Sequence, residues 1–133
     1  MSLYLLDTHA LIWAAVSPEF LSAKVRKLIT QPTNEIAVSS ISFWQISIKH
    51  ALGKLQQVNC RPEDLLSAAR TMQFDIVQAT ADECASFHAL PRLAHKDPFD
   101  RMRIWQCLQR QATLVSKDAA LRDYEPLGLR RFW

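Results

Sequence analysis

The chain has 133 residues, 49% hydrophobic and 22% charged, which excludes a largely disordered protein and fits a single globular domain over residues 1–133. Its three cysteines, Cys60, Cys84 and Cys107, are far apart and form no C-x-x-C pair, so neither a disulfide framework nor a zinc knuckle is indicated. The net charge of +3 is uneven: residues 89–133 carry nine Lys/Arg against five Asp/Glu, a bias that permits a polyanionic partner without requiring one.

Leu3–Leu6 is a short apolar run of the kind that forms a buried strand, and Asp7-Thr8-His9 leads from it into an apolar helix over Ala10–Val16, stopped at Ser17-Pro18. Asp7 and His9 interrupt this apolar segment and no basic residues precede it, which speaks against a signal peptide or membrane span and places the protein in the cytoplasm. Ser22 caps a second helix reaching Thr30, and Glu35–Ser39 is a second buried strand. A third helix runs from Ser42 to Leu52 and closes on Gly53. Its residues Ile41, Trp44, Ile48, Ala51, Leu52 and Leu55 fall on one stripe that reads as core-facing, with Gln45 at the border and Lys49 one turn on. Trp13, Trp105 and Trp133 are likewise read as core residues.

Pro62 opens a helix to Met72, Phe74–Val77 is a third strand, and Thr80 starts a helix ending near Leu90-Pro91. In His95–Met102 (HKDPFDRM), Asp97 stands as N-cap, Pro98 at the first helical position and Asp100 in the first turn. Asp100 then shares a face with Ile104, Cys107 and Leu108, so a carboxylate lies in line with a core stripe. Thr113–Ser116 is a fourth strand ending at Lys117-Asp118, and Leu129–Trp133 is a final edge strand. Short β-rich runs alternating with helices predict an α/β fold with a short, mainly parallel central sheet covered on both faces. With only Gly53 and Gly128 present, no phosphate-cradling glycine loop exists.

Asp7 and Asp118 each follow a strand, and ligands in open α/β sheets bind at the carboxyl ends of strands. If the two strands are neighbours, both acids reach one edge, and Asp100 lies on the helix feeding the later strand. Converging carboxylates repel and lose hydration, and a hard divalent cation offsets that cost while offering phosphate oxygens a place. Metal-assisted phosphodiester hydrolysis is the chemistry this suggests. An aspartyl-nucleophile phosphatase built on Asp7 fits poorly, because the acid it needs two residues on is replaced by His9.

DTHALIW at 7–13, SSISFWQISIKHALGKL at 39–55, HKDPFDRM at 95–102 and TLVSKDAALRDY at 113–124 together resemble the signature blocks of PIN-domain ribonucleases, and most closely bacterial VapC toxins. The resemblance implies a three-layer α/β/α sandwich and a metal-dependent endoribonuclease of a toxin–antitoxin pair, using Mg²⁺ or Mn²⁺ and leaving a 3′-hydroxyl and a 5′-phosphate. Carried over by position, it makes Asp7, Asp100 and Asp118 metal ligands, with Asp97 as cap or auxiliary acid. Thr8 and Ser116 would orient the acids through their hydroxyls. It also implies a VapB-like antitoxin, for which apolar surface on the early helices is suited, and a homodimer.

Where such sequences usually carry Glu, this chain has Gln45, which offers a carbonyl oxygen but neither a charge nor a base. Metal affinity should fall and a second metal is disfavoured. A tolerated natural variant, a weakened module that binds RNA or protein without efficient cleavage, and an altered toxin all agree with this residue. Lys49, Arg101 and Arg103 are candidates for phosphate contacts with RNA, and each is equally well read as solvated or ion-paired. His95 is assigned to loop packing in preference to proton transfer.

Overall fold

A computed structural model describes residues 2–55 and 59–133. Five parallel strands, β1 (Leu3–Leu6), β2 (Glu35–Ser39), β3 (Asp75–Val77), β4 (Thr113–Val115) and β5 (Arg130–Phe132), form one sheet in the order β3-β2-β1-β4-β5. β1 is central and pairs with both β2 and β4, Leu6 lying opposite Val38 on one side and Val115 on the other. The strands that precede Asp7 and Asp118 are therefore neighbours, as the acid positions required. The expected edge strand is β5, paired with β4 through Val115 and Phe132.

Side chains of a strand alternate between faces, so each strand feeds two cores. Leu6, Ile36, Val38 and Val115 point into one, packed under helices α1 (Thr8–Val16), α2 (Ala23–Thr30) and α4 (Pro62–Thr71) through Leu11, Val25 and Leu65. Leu5, Ala37 and Leu114 point into the other, against Ile104 and Cys107 of α6 (Pro98–Arg110) and Tyr124 of a 3₁₀ helix at Ala119–Leu127. Helices on both faces of a parallel sheet give the three layers expected. Burial pushes the Cys107 thiol up to about 12, which leaves it an apolar packing residue.

Boundaries follow local chemistry. Helix α3 (Ser40–Ala51) begins two residues before the expected start because the Ser39 hydroxyl accepts from Ile41 N–H and serves as the cap. The helix expected from Thr80 to Leu90 divides into α5 (Ala81–Ser86) and a 3₁₀ turn at Phe87–Ala89. Residues 119–127 form a 3₁₀ helix that the sequence reading leaves without structure; Asp118 caps it and Gly128, at φ 105°, ends it.

The largest departure concerns the face that α3 buries. Trp44 is 60% and Leu52 62% exposed, and Ile48 is exposed as well, while Ser42, Gln45 and Ile46 are buried. Trp44, Ile48, Ala51 and Leu52 of the stripe read as core-facing therefore face outward, while Ile41 and Leu55 at its ends are half-buried. Helix α3 follows β2 without a loop and packs on α1, α4 and α6, where its inner face meets the polar groups of Thr8 and Arg103. The buried polar residues Ser42 and Gln45 are matched to polar partners and Ile46 packs in the core, while Trp44, Ile48 and Leu52 are left outside. Of the other tryptophans, Trp13, Trp105 and Trp133 are half-buried, Trp13 packing against Phe20 and Trp133.

Candidate active site

The site is built from helix starts that follow strands. The Asp7 N–H extends the β1–β4 ladder by donating to the Val115 carbonyl at 3.1 Å, after which the chain turns into α1. Its Oδ1 accepts from Ala10 N–H at 2.8 Å, so Asp7 is the N-cap of that helix. An anionic side chain there is stabilised by the positive end of the helix dipole. On β4 the geometry is parallel: the Ser116 hydroxyl accepts from Asp118 N–H at 3.1 Å, and Asp118 Oδ1 accepts from Ala120 N–H at 3.0 Å. Ser116 thus fixes the backbone that carries Asp118 and does not touch its carboxylate.

Asp97 caps α6 through Phe99 N–H at 2.7 Å and Asp100 N–H at 3.4 Å, which turns the next acid, Asp100, toward the sheet edge. Asp7, Asp100 and Asp118 line one cleft with His95, Arg103 and Ser116. The three acids expected as ligands therefore converge, while Asp97 serves the helix start. An adjoining open groove is lined by Asp7, Asp118, His9, Trp13 and Lys117.

Gln45 lies behind the cleft, nearly buried. Its Oε1 accepts from the Thr8 hydroxyl at 2.7 Å and from Arg103 Nη1 at 2.9 Å. Because a guanidinium only donates, this contact fixes which end of the amide faces it. Thr8 therefore orients Gln45 and not a carboxylate. Arg103 Nη2 bonds Asp100 Oδ1, and its Nη1 also reaches the Ser42 hydroxyl at 3.4 Å.

Two cations proposed as phosphate contacts are held inside the protein. Arg103 is only 3% exposed and bonded as described. Arg101 is buried, stacks over the Phe87 ring at 4.8 Å and donates to the Leu90 carbonyl at 2.9 Å. Neither faces solvent, because α6 is covered on both flanks, Arg101 by Phe87 and Leu90 and Arg103 by α3. Lys49 is half-buried and its side chain makes no hydrogen bond among the described residues.

His95, expected in loop packing, is nearly buried and also reaches an acid of the cleft. Its Nε2 lies 2.6 Å from Asp118 Oδ2, its N–H donates to the Tyr124 hydroxyl at 3.2 Å, and its ring packs on Tyr124. Burial alone would push the Asp118 carboxyl up, but the bonds from His95 and Ala120 outweigh it and hold the group below its ordinary range. The only sequence signal for this contact was the position of His95 at the head of the HKDPFDRM block, since its partner is 23 residues away.

Three carboxylates around one cleft match a hard divalent cation in donor type. Their oxygens are not yet gathered as a ligand set: Asp100 is turned to Arg103 and Asp118 to His95, and among the described residues no three His, Cys, Asp or Glu side chains stand together as metal ligands do. The donors fit the ion in kind, and one carboxylate oxygen on each of Asp7 and Asp100 has no hydrogen-bond partner among the described residues.

A sequence profile of the PIN domain matches residues 4–126. The chain is 28% identical over 127 residues to Ribonuclease VapC22 of Mycobacterium tuberculosis (strain ATCC 25618 / H37Rv), covering 93% of each sequence. Among solved structures it superposes on a chain of VapBC2 from Rickettsia felis bound to a promoter DNA fragment with a TM-score of 0.66 at 17% identity, over 98% of both chains. A chain of DNA-bound VapBC from Salmonella typhimurium gives a TM-score of 0.63 at 17% identity, over 99% of this chain and 98% of that one. The profile runs from within β1 to the last turn of the 3₁₀ helix after Asp118, taking in every element that carries the cleft, and the protein belongs to the PIN-domain family.

Proposed function

We propose that the protein is a metal-dependent endoribonuclease that acts as the VapC-like toxin of a toxin–antitoxin pair. The observation that carries this reading is the convergence of Asp7, Asp100 and Asp118 on one cleft at the carboxyl ends of two adjacent strands. The similarity to a protein named as a VapC ribonuclease supports the choice of RNA.

Asp7, Asp100 and Asp118 would hold Mg²⁺, or Mn²⁺ in its place. The bound ion supplies a water of lowered pKa and stabilises charge on the scissile phosphate. The protein's own groups do the rest. The α1 N-terminus holds the Asp7 side chain in place through the Ala10 N–H. His95 and Ala120 N–H orient Asp118. Gln45, occupied by Thr8 and Arg103, braces the floor of the site and cannot act as a base. The groove with Lys117, His9 and Trp13 leads from the acids and offers a strand one cation and aromatic faces for stacking.

A VapB-like antitoxin and a homodimer complete the proposal, and the exposed Trp44, Ile48 and Leu52 of α3 provide apolar surface for such contacts. A cytoplasmic location is part of the proposal; among the described residues no helix is long and apolar enough to cross a membrane.

A second reading, a PIN module that binds RNA or a partner without efficient cleavage, is favoured by Gln45 and by the guanidinium lodged beside Asp100. Cleavage of structured and unstructured RNA by the purified protein with Mg²⁺, Mn²⁺ or EDTA separates the two. Cutting that requires metal and is lost in Asp7→Asn is the expected result. RNA binding with no cutting under any metal condition selects the binding module.

A further inference from the structure

Resting on the metal-nuclease reading and extending it, we propose that Arg103 is a resident cation of the acidic site, standing where a second metal ion would balance charge, so that the cleft takes at most one divalent ion. Its guanidinium is almost wholly buried and spans two helices, with Nη2 on Asp100 Oδ1 of its own helix and Nη1 on Gln45 Oε1 and Ser42 Oγ of α3. A charged group that buried is held by its partners, and two of the three, Gln45 and Ser42, are themselves buried.

Charge gives the stoichiometry. Three carboxylates and one guanidinium line the cleft with His95, and with the imidazole counted as neutral two negative charges are left, the charge of one divalent ion. Asp100 has one oxygen committed to Arg103 and one without a hydrogen-bond partner among the described residues. A second ion on the α3 side of the cleft would have to displace Arg103 from it.

Gln45 and Arg103 are matched. The amide oxygen accepts from Arg103 and Thr8 without adding charge to a buried place. A glutamate there would present its carboxylate to the same two donors. Arg103 would then neutralise it as a buried ion pair, and the restored acid would not be free to ligate metal. The neutral residue at position 45 is thus only half of the departure from a four-acid site; the arginine is the other half.

Mn²⁺ binding to the full chain, counted by titration calorimetry and by loss of the free-ion paramagnetic resonance signal, tests this without reference to cleavage. The parent protein should bind no more than one ion, and Gln45→Glu alone should not add a second. Arg103→Met should tighten binding at least about tenfold, the Coulomb term of one nearby unit charge removed. Gln45→Glu with Arg103→Met should take up a second ion. Arg103→Met leaves Gln45 its bond to Thr8 and leaves Asp100 partly solvated, so a folded protein is expected.

A second ion bound by Gln45→Glu alone would overturn the proposal, and that count decides the matter even if Arg103→Met does not fold. A folded Arg103→Met of unchanged affinity overturns it too. If the parent binds one ion in that case, the metal-nuclease reading survives. If neither the parent nor any variant binds Mn²⁺, both fall.

Discussion

Two arginines on one helix, seven residues apart, do different work in this protein. Near the end of α6, Arg110 grips Glu83 of α5 with Nε at 2.8 Å and Nη2 at 3.1 Å, and donates again to the Gln78 carbonyl at 2.9 Å. Glu83 also accepts from Thr80 N–H at 3.0 Å, closing a capping box, so this carboxylate is saturated and its side chain is 8% exposed. Near the start of α6, Arg103 meets Asp100, whose side chain is 41% exposed, in a cleft with two further acids. One pair is closed and clamps α5 to α6. The other is open, and the negative charge it leaves over is what the proposed metal site would use.

Breaking the closed pair should have the largest effect on stability. Glu83→Ala strands a mostly buried guanidinium and removes a cap, and about 3 kcal/mol of unfolding free energy should be lost in urea denaturation at neutral pH. The same pair sets an acid limit. Burial by itself raises the Glu83 carboxyl, but the Arg110 and Thr80 bonds outweigh it and hold the group below its usual range. Its stabilisation is therefore complete above the unfolded value of about 4.3 and is lost as pH falls through the lower folded value. In Glu83→Gln the fall in stability over that window should flatten, while a slope of the same sign from Asp118 persists.

Asp97→Ala tests the helix start that aims Asp100. It removes the acceptor for Phe99 and Asp100 N–H and should cost about 1 kcal/mol in thermal unfolding. Asp100→Asn belongs to the open pair and should cost less than Glu83→Ala, because the amide oxygen still accepts from Arg103 and the side chain is 41% exposed. In the same variant, metal-dependent RNA cleavage should fall at least about tenfold. A stability loss as large as that of Glu83→Ala would make the Asp100–Arg103 pair a clamp like the other, and the contrast between the two ends of α6 would collapse.

The sheet and the acids were legible in the sequence because each rests on local chemistry. Four-residue apolar runs ending in Asp or Ser mark strands, and the DPFD start marks a helix from caps alone. The PIN resemblance, with Asp7, Asp100 and Asp118 placed by position, puts those acids where the cleft lies. What was not legible depends on partners distant in sequence. The inward turn of Arg103 is decided by Gln45, 58 residues away, and the seating of His95 by Asp118. The stripe on α3 was misjudged because periodicity reports that a helix has two unlike faces and not which of them meets the protein. With Thr8 and Arg103 on the inner side, Ser42 and Gln45 are buried there beside Ile46, and Trp44, Ile48 and Leu52 are left out.

That inversion supplies the smallest expected effect and the sharpest contrast with Glu83. Leu52 is 62% exposed at the end of α3, so Leu52→Gln removes almost no contact within the chain and should change unfolding free energy by less than about 0.5 kcal/mol. If the outward stripe of Trp44, Ile48 and Leu52 meets a second copy, the same substitution should shift sedimentation from dimer toward monomer at micromolar concentration, since an apolar side chain at an interface is replaced by a polar one. A variant that is equally stable and still dimeric would place the self-association surface elsewhere and leave the stripe to another partner. A variant that loses more than about 1 kcal/mol as a monomer would mean that the face is packed after all, and that α3 buries its apolar stripe as its sequence suggests.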